Sequence, residues 1–274
     1  MGAMIKFEWH RMCHSLSFWI GLLCSCALAS AAAAEQFAIY LEGVDHISIF
    51  YRWIGEYKMT FSAVYFYIII PLFTAMGYSH SGCTDRNSGY LQQLFTRCKK
   101  VHYYCAKYAV TFVGGGLIFI TGVILNYLWL SLFLEAEIPD PVNLTSLINP
   151  FRFGSKLYFS NPALFAALWI GVGFLWGGLM ASIGLVIGLF SDHVAVSVIG
   201  PFLLFLSQGI VAAFWMQKGV FQLRGQILEL TWTEMLCAGT SCAAPTDYIL
   251  STLGALIGIT ALIYAIRVKR YECL

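Results

Sequence analysis

The chain has 274 residues, of which 59% are hydrophobic and only 11% charged, where an ordinary soluble domain carries about 25% charged residues. That excludes a soluble globular protein and predicts an all-α integral membrane protein, since a helix satisfies its own backbone groups in lipid. The net charge of +2 says little by itself, no nucleic-acid partner is expected, and the nine cysteines form no C-x-x-C pair, which argues against a zinc site.

Residues 4–16 mix apolar and basic types. Ile5, Trp9, Met12 and Leu16 share one helical face, with Lys6, Arg11 and His14 off it, as in an amphipathic helix lying along a membrane surface. A signal-peptide n-region is the competing reading, because the apolar run that follows ends in small residues from Ala27 to Ala34. That run, residues 15–34, exceeds the usual h-region of about 7–15 residues, so it is read as an uncleaved first span. The second span covers residues 60–78 with Pro71 inside it, which a span tolerates when its neighbours re-satisfy the freed carbonyl.

Between Ser81 and Lys107 lies a polar stretch with five basic residues and one acid. Leu91, Leu94, Phe95 and Cys98 share one face, while Gln92, Gln93, Arg97 and Lys100 point elsewhere. Asp85, Asn87 and Ser88 are N-cap types, so the stretch predicts a short, capped, basic amphipathic helix. The third span, residues 108–134, holds Gly114-Gly115-Gly116. No Lys-Ser or Lys-Thr follows, so this is not a phosphate cradle and reads as close helix packing or a flexible point.

Residues 135–161 carry several prolines and cannot form one long helix; Asn143-Leu144-Thr145 is a glycosylation sequon, informative only in a secretory context. The fourth span, residues 163–190, contains Gly173-x-x-x-Gly177 and Gly184-x-x-x-Gly188, spacings that let helices approach closely. Ser191-Asp192-His193 then makes a tight turn into a fifth span at 194–216. Residues 217–248 are partly apolar and read as short helices dipping into the outer interface. Cys237 and Cys242 in that stretch would bridge only if it faces an oxidising space. The sixth span covers residues 249–266.

Six spans place both termini on one side. The side holding the termini, the 81–107 stretch and the 191–193 turn carries ten of the 16 Lys and Arg residues and four of the 14 acids. The positive-inside bias therefore predicts that this side is cytoplasmic. On these boundaries no Asp, Glu, Lys or Arg falls within a span, and the histidines show no metal-ligand grouping. An ion-coupled carrier or an intramembrane hydrolase would need such groups. The chain has no catalytic, metal or cofactor site by this reading, and no Walker A sequence.

The layout as a whole resembles the permease subunit of bacterial ABC-2-type ABC transporters, over a single transmembrane domain spanning residues 1–274. The most detailed likeness is Asp85-Arg86-Asn87-Ser88-Gly89-Tyr90-Leu91, followed by Leu94, Arg97 and Lys107, which is similar to an "acid, R-x-x-G, L-x-x-L, basic" stretch after span two. The resemblance implies a cytoplasmic ABC ATPase subunit carrying ATP and Mg, a second permease in a homo- or heterodimer, and contact with membrane lipids. It implies a first coupling element with Asp85, Arg86, Gly89, Leu91, Leu94, Phe95 and Arg97, and a second at Ser191, Asp192 and His193. The implied function is export of a hydrophobic or amphipathic substrate (peptide, drug or lipid) across the bacterial cytoplasmic membrane. The alternative is a non-transport scaffold or sensor that docks a cytoplasmic protein through the 81–107 loop.

Overall fold

A computed structural model describes residues 1–42, 48–53, 61–96, 98–138, 154–217 and 246–272. Among these residues the regular structure is helical throughout. Six helices are long and apolar enough to cross a membrane, so the chain is a multi-pass membrane protein by length and composition.

In chain order, α1 spans Gly2–Cys13 and α2 spans Leu16–Leu41. The four-residue α3, Ile49–Arg52, precedes α4, Phe61–Tyr78. Two short helices follow, α5 at Ser81–Asn87 and α6 at Tyr90–Phe95, then the long α7, Lys100–Leu130. The short α8, Ser155–Ser160, leads into α9, Pro162–Gly188. The chain closes with α10, Val194–Gln217, and α11, Thr246–Glu272.

Helix α9 is the centre of the bundle. Its apolar stretch is 72% buried, against 17% for α10 and 22% for α11, so the last two are peripheral. It begins where the sequence offers two signals at once: the Asn161 side chain accepts from the Leu164 amide at 3.1 Å, and Pro162 takes the first helical position, where no amide is missed.

The triple glycine of α7 and the first Gly-x-x-x-Gly of α9 meet each other. A Cβ placed on Gly115 would stand 2.5 Å from the Gly177 carbonyl oxygen, and one on Gly177 would stand 2.6 Å from the Gly115 oxygen. Backbone touches backbone here, and glycine is what allows it. The second pair serves another contact: Gly184 faces Ser79 and Ser197, and the Ser197 hydroxyl donates to the Gly184 carbonyl at 2.7 Å. Buried polar bonds pin α2 to α7, with Ser25 donating to Ile118 O at 2.9 Å and Asn126 to Ala29 O at 2.8 Å.

The helix boundaries differ from the sequence expectation at the ends that carry charge. The first span continues past residue 34 to Leu41, because the Glu35 carboxylate accepts from the Ser62 amide and hydroxyl at the start of α4. The third helix starts at Lys100, not 108, and takes in Lys107. Glu35 and Lys107 thus lie within spanning helices, contrary to the expectation that no ionisable residue falls in a span, and these helices are longer than their apolar runs because neighbouring helices satisfy the charges.

Both ends of the chain meet at one end of the bundle. Met4 of α1, Tyr103 and Tyr104 of α7, Leu185 of α9, and Tyr264 and Val268 of α11 form one buried cluster, and the Tyr264 hydroxyl donates to the Tyr104 carbonyl at 3.1 Å. The Asn143–Thr145 sequon and the 217–248 segment with Cys237 and Cys242 lie essentially outside the described residues.

Candidate functional site: a buried ion cluster beneath a two-helix elbow

The end of the bundle that gathers both termini also gathers the ionisable residues. Helix α1 turns Met4, Glu8 and Met12 inward, one residue every turn. This differs from the face expected from sequence: Trp9 and Leu16 are exposed, and a carboxylate sits in the buried stripe. Glu8 is 0% exposed, Asp85 of α5 is 1% and Lys107 of α7 is 1%.

Lys107 joins the two acids. Its Nζ stands 2.7 Å from Glu8 Oε2 and 2.7 Å from Asp85 Oδ2. Arg11, half-buried, closes the figure, with Nη2 at 2.6 Å from Asp85 Oδ1 and Nη1 at 3.2 Å from Glu8 Oε1. Tyr78 donates to Glu8 Oε2 at 2.7 Å, and Tyr103 to Asp85 Oδ2 at 2.6 Å. The Lys107 ammonium lies over the Tyr78 ring at 4.7 Å from its centroid. Two acids and two bases thus make a neutral group in which each carboxylate oxygen has a donor. A buried charge is tolerated on those terms, whereas removing one partner strands the rest. Burial works against the Arg11 charge, but the bond to Asp85 and the electrostatic pull of Tyr78, Asp85 and Glu8 together outweigh it, so the guanidinium is held above its ordinary range.

Next to this cluster α5 binds the turn between α9 and α10. Arg86 Nη2 donates to the carbonyls of Gly188 at 3.0 Å and Ser191 at 2.6 Å, and pairs with Asp192 Oδ1 at 2.9 Å. A guanidinium on the last carbonyls of α9 fills the usual place for a cation at a helix C-terminus. Asn87 Nδ2 adds a bond to the Asp192 carbonyl at 2.8 Å, and Cys83 Sγ lies 3.4 Å from Ser191 O.

The short helix expected across 85–97 is in fact an elbow of two. Asp85 and Asn87 lie inside α5, and α6 starts after Gly89, whose φ of +71° is left-handed and suits glycine. No side chain caps α6, so the expected capping by Asp85, Asn87 or Ser88 is corrected. Leu91, Leu94 and Phe95 are half-buried and rest against the chain's own cluster around Tyr103 and Tyr104. What α6 leaves exposed is Gln92, Gln93 and Thr96.

The structure therefore brings together two of the sequence-picked segments: the Asp85–Phe95 elbow and the Ser191–His193 turn adjoin through Arg86. Asp192 and His193 are exposed and Asp85 is covered. Arg97 lies outside the described residues. Sequence reasoning gave Glu8, Arg11, Tyr78, Tyr103 and Lys107 no part in a buried cluster. The available signals were the Glu8–Arg11 spacing of three and a lysine set among Tyr103, Tyr104, Tyr108 and Val110. His10 and His14, one turn apart, do pair, with rings stacked at 4.0 Å; among the described residues no group of three or more His, Cys, Asp or Glu could hold a metal ion.

No protein-family model matches the chain, and no curated protein is significantly similar to it.

Proposed function

We propose that the chain is the membrane-spanning permease subunit of an ATP-driven transporter of the ABC-2 type. It works in the bacterial cytoplasmic membrane with its termini and elbow on the cytoplasmic side. Powered by a separate ATPase subunit and paired with a second permease, it exports a hydrophobic or amphipathic substrate. The observation that carries this reading is the bonding of Arg86 and Asn87 to the Ser191–His193 turn. A partner protein that pushed on either segment would move both, and through Asp85 would load α1 and α7 as well. The positive-inside charge bias supports the cytoplasmic placement.

The surface offered to the ATPase consists of Gln92, Gln93 and Thr96 with Asp192 and His193, all exposed. Leu91, Leu94 and Phe95 support it from beneath. The informative substitution is therefore at the exposed positions: Gln92→Asp with Gln93→Asp is expected to abolish co-purification of an ATPase with the chain from its native host while leaving membrane insertion intact. Unchanged co-purification sinks the docking assignment. A co-purified partner without ATP-binding sequences would instead favour a non-transport scaffold.

A further inference from the structure

Beneath α6 lies a cavity of about 240 Å³. Leu91 and Phe95 of α6 roof it, Leu185 of α9 and Leu189 just past its end form one wall, and Tyr104 and Tyr264 form the other. It exceeds the roughly 150 Å³ of a dry apolar cavity that admits benzene, so there is room for a segment of alkyl chain.

Most of the polar side chains around it are engaged. Lys107, which borders the cavity, is held by two carboxylates. Arg86 is bonded to the end of α9, Tyr103 to Asp85, and Tyr264 to the Tyr104 carbonyl. A polar ligand would find few free partners inside, while an apolar chain would meet Leu91, Phe95, Leu185, Leu189 and the tyrosine rings. Two cations stand near this roof: Lys100 Nζ lies over the Phe95 ring at 5.6 Å from its centroid, and its chain neighbour Lys99 is exposed. We propose that this cavity is a binding site for one acyl chain of an anionic amphiphile, the chain under α6 and the acidic head against Lys99 and Lys100. The head's source is either a bilayer phospholipid or a free fatty acid. The site requires only that the chain spans a membrane, and it stands whether or not the protein is a transporter.

Its occupant would bear on the elbow. Helix α6 has no buried residue and hangs from Gly89, so it is the wall most easily displaced by a guest.

The test is photo-crosslinking of the full chain with two probes, a phosphatidylglycerol with a diazirine in its acyl chain, supplied in nanodiscs, and a diazirine-bearing palmitate. Labelling is mapped by mass spectrometry. Labelling of the peptides around Leu91–Phe95 and Leu185–Leu189 is expected, with competition by the matching unlabelled lipid. Two variants fill the space: Leu91→Trp from the roof and Gly82→Leu, whose new side chain meets Leu185 Cδ1 3.3 Å from the Cβ position. Each is expected to weaken labelling roughly tenfold, the worth of about two buried methylenes. Labelling by phosphatidylglycerol alone identifies a bilayer lipid, and labelling by palmitate alone a free fatty acid. Failure of both probes to label these peptides competitively in the unmodified protein overturns the site, whatever the variants do. So does labelling that both filled variants leave unchanged.

Discussion

Lys107 is buried where water has almost no access. The cost of desolvating it is met by two carboxylates at 2.7 Å and by the faces of Tyr78 and Tyr103. Lys107→Met would leave Glu8 and Asp85 sharing Arg11 alone. Breaking a buried ion pair from one side costs about 3–5 kcal/mol, so this variant is expected to lose its monodisperse state on heating much faster than the unmodified protein in detergent. Combining it with Glu8→Gln should cost less than the sum of the two, since both act on one network. Additive effects would show that the two residues are not coupled. Sequence alone placed Lys107 at the end of a polar, basic stretch ahead of span three. The reason is physical: the acids that make its burial tolerable arrive from α1 and α5, 99 and 22 residues away, and no local pattern announces such partners.

At the scale of the helices, apolar runs made the six spans legible, and Pro71, the Asn161–Pro162 start and the 191–193 turn all fell where local chemistry puts them. Less legible was what packs on what. Gly115 and Gly177 are each unremarkable in an apolar helix, and only their mutual approach gives them a function. Gly115→Leu is expected to destabilise the α7–α9 contact by about 1–3 kcal/mol, the usual cost of overpacking, read as a lower thermal midpoint. Gly171→Ala on the same α9 is the control: nothing lies within 4 Å of its Cβ position, so the midpoint should hold or rise. Equal losses in the two variants would point to a general intolerance of side chains in α9. The elbow was less legible for a related reason. The apolar spacing of Leu91, Leu94 and Phe95 says that they face something, and the sequence does not say whether that is a partner or the chain's own tyrosines.

For the whole molecule, the arrangement predicts where the ends lie. Tyr264 and Val268 of α11 pack with Met4 of α1, so both termini share one end of the bundle, and the proposed orientation makes that end cytoplasmic. Fluorescent protein fused to either terminus is expected to fold and emit, and alkaline phosphatase fused after Ile138 is expected to be active. An active phosphatase at either terminus would reverse the orientation and remove the elbow from the reach of a cytoplasmic ATPase.

The order in which the four charges leave the ribosome adds a consequence of its own. Glu8 and Arg11 are made first, Asp85 after the second span, and Lys107 last. A nascent chain that stops short of Lys107 carries two acids against a single half-exposed arginine, an excess of negative charge at what should become a sealed joint. The first helix therefore gains the buried partner of Glu8 only after the start of the third span has been made. The charge balance of the joint thus draws on three stretches of chain made at different times.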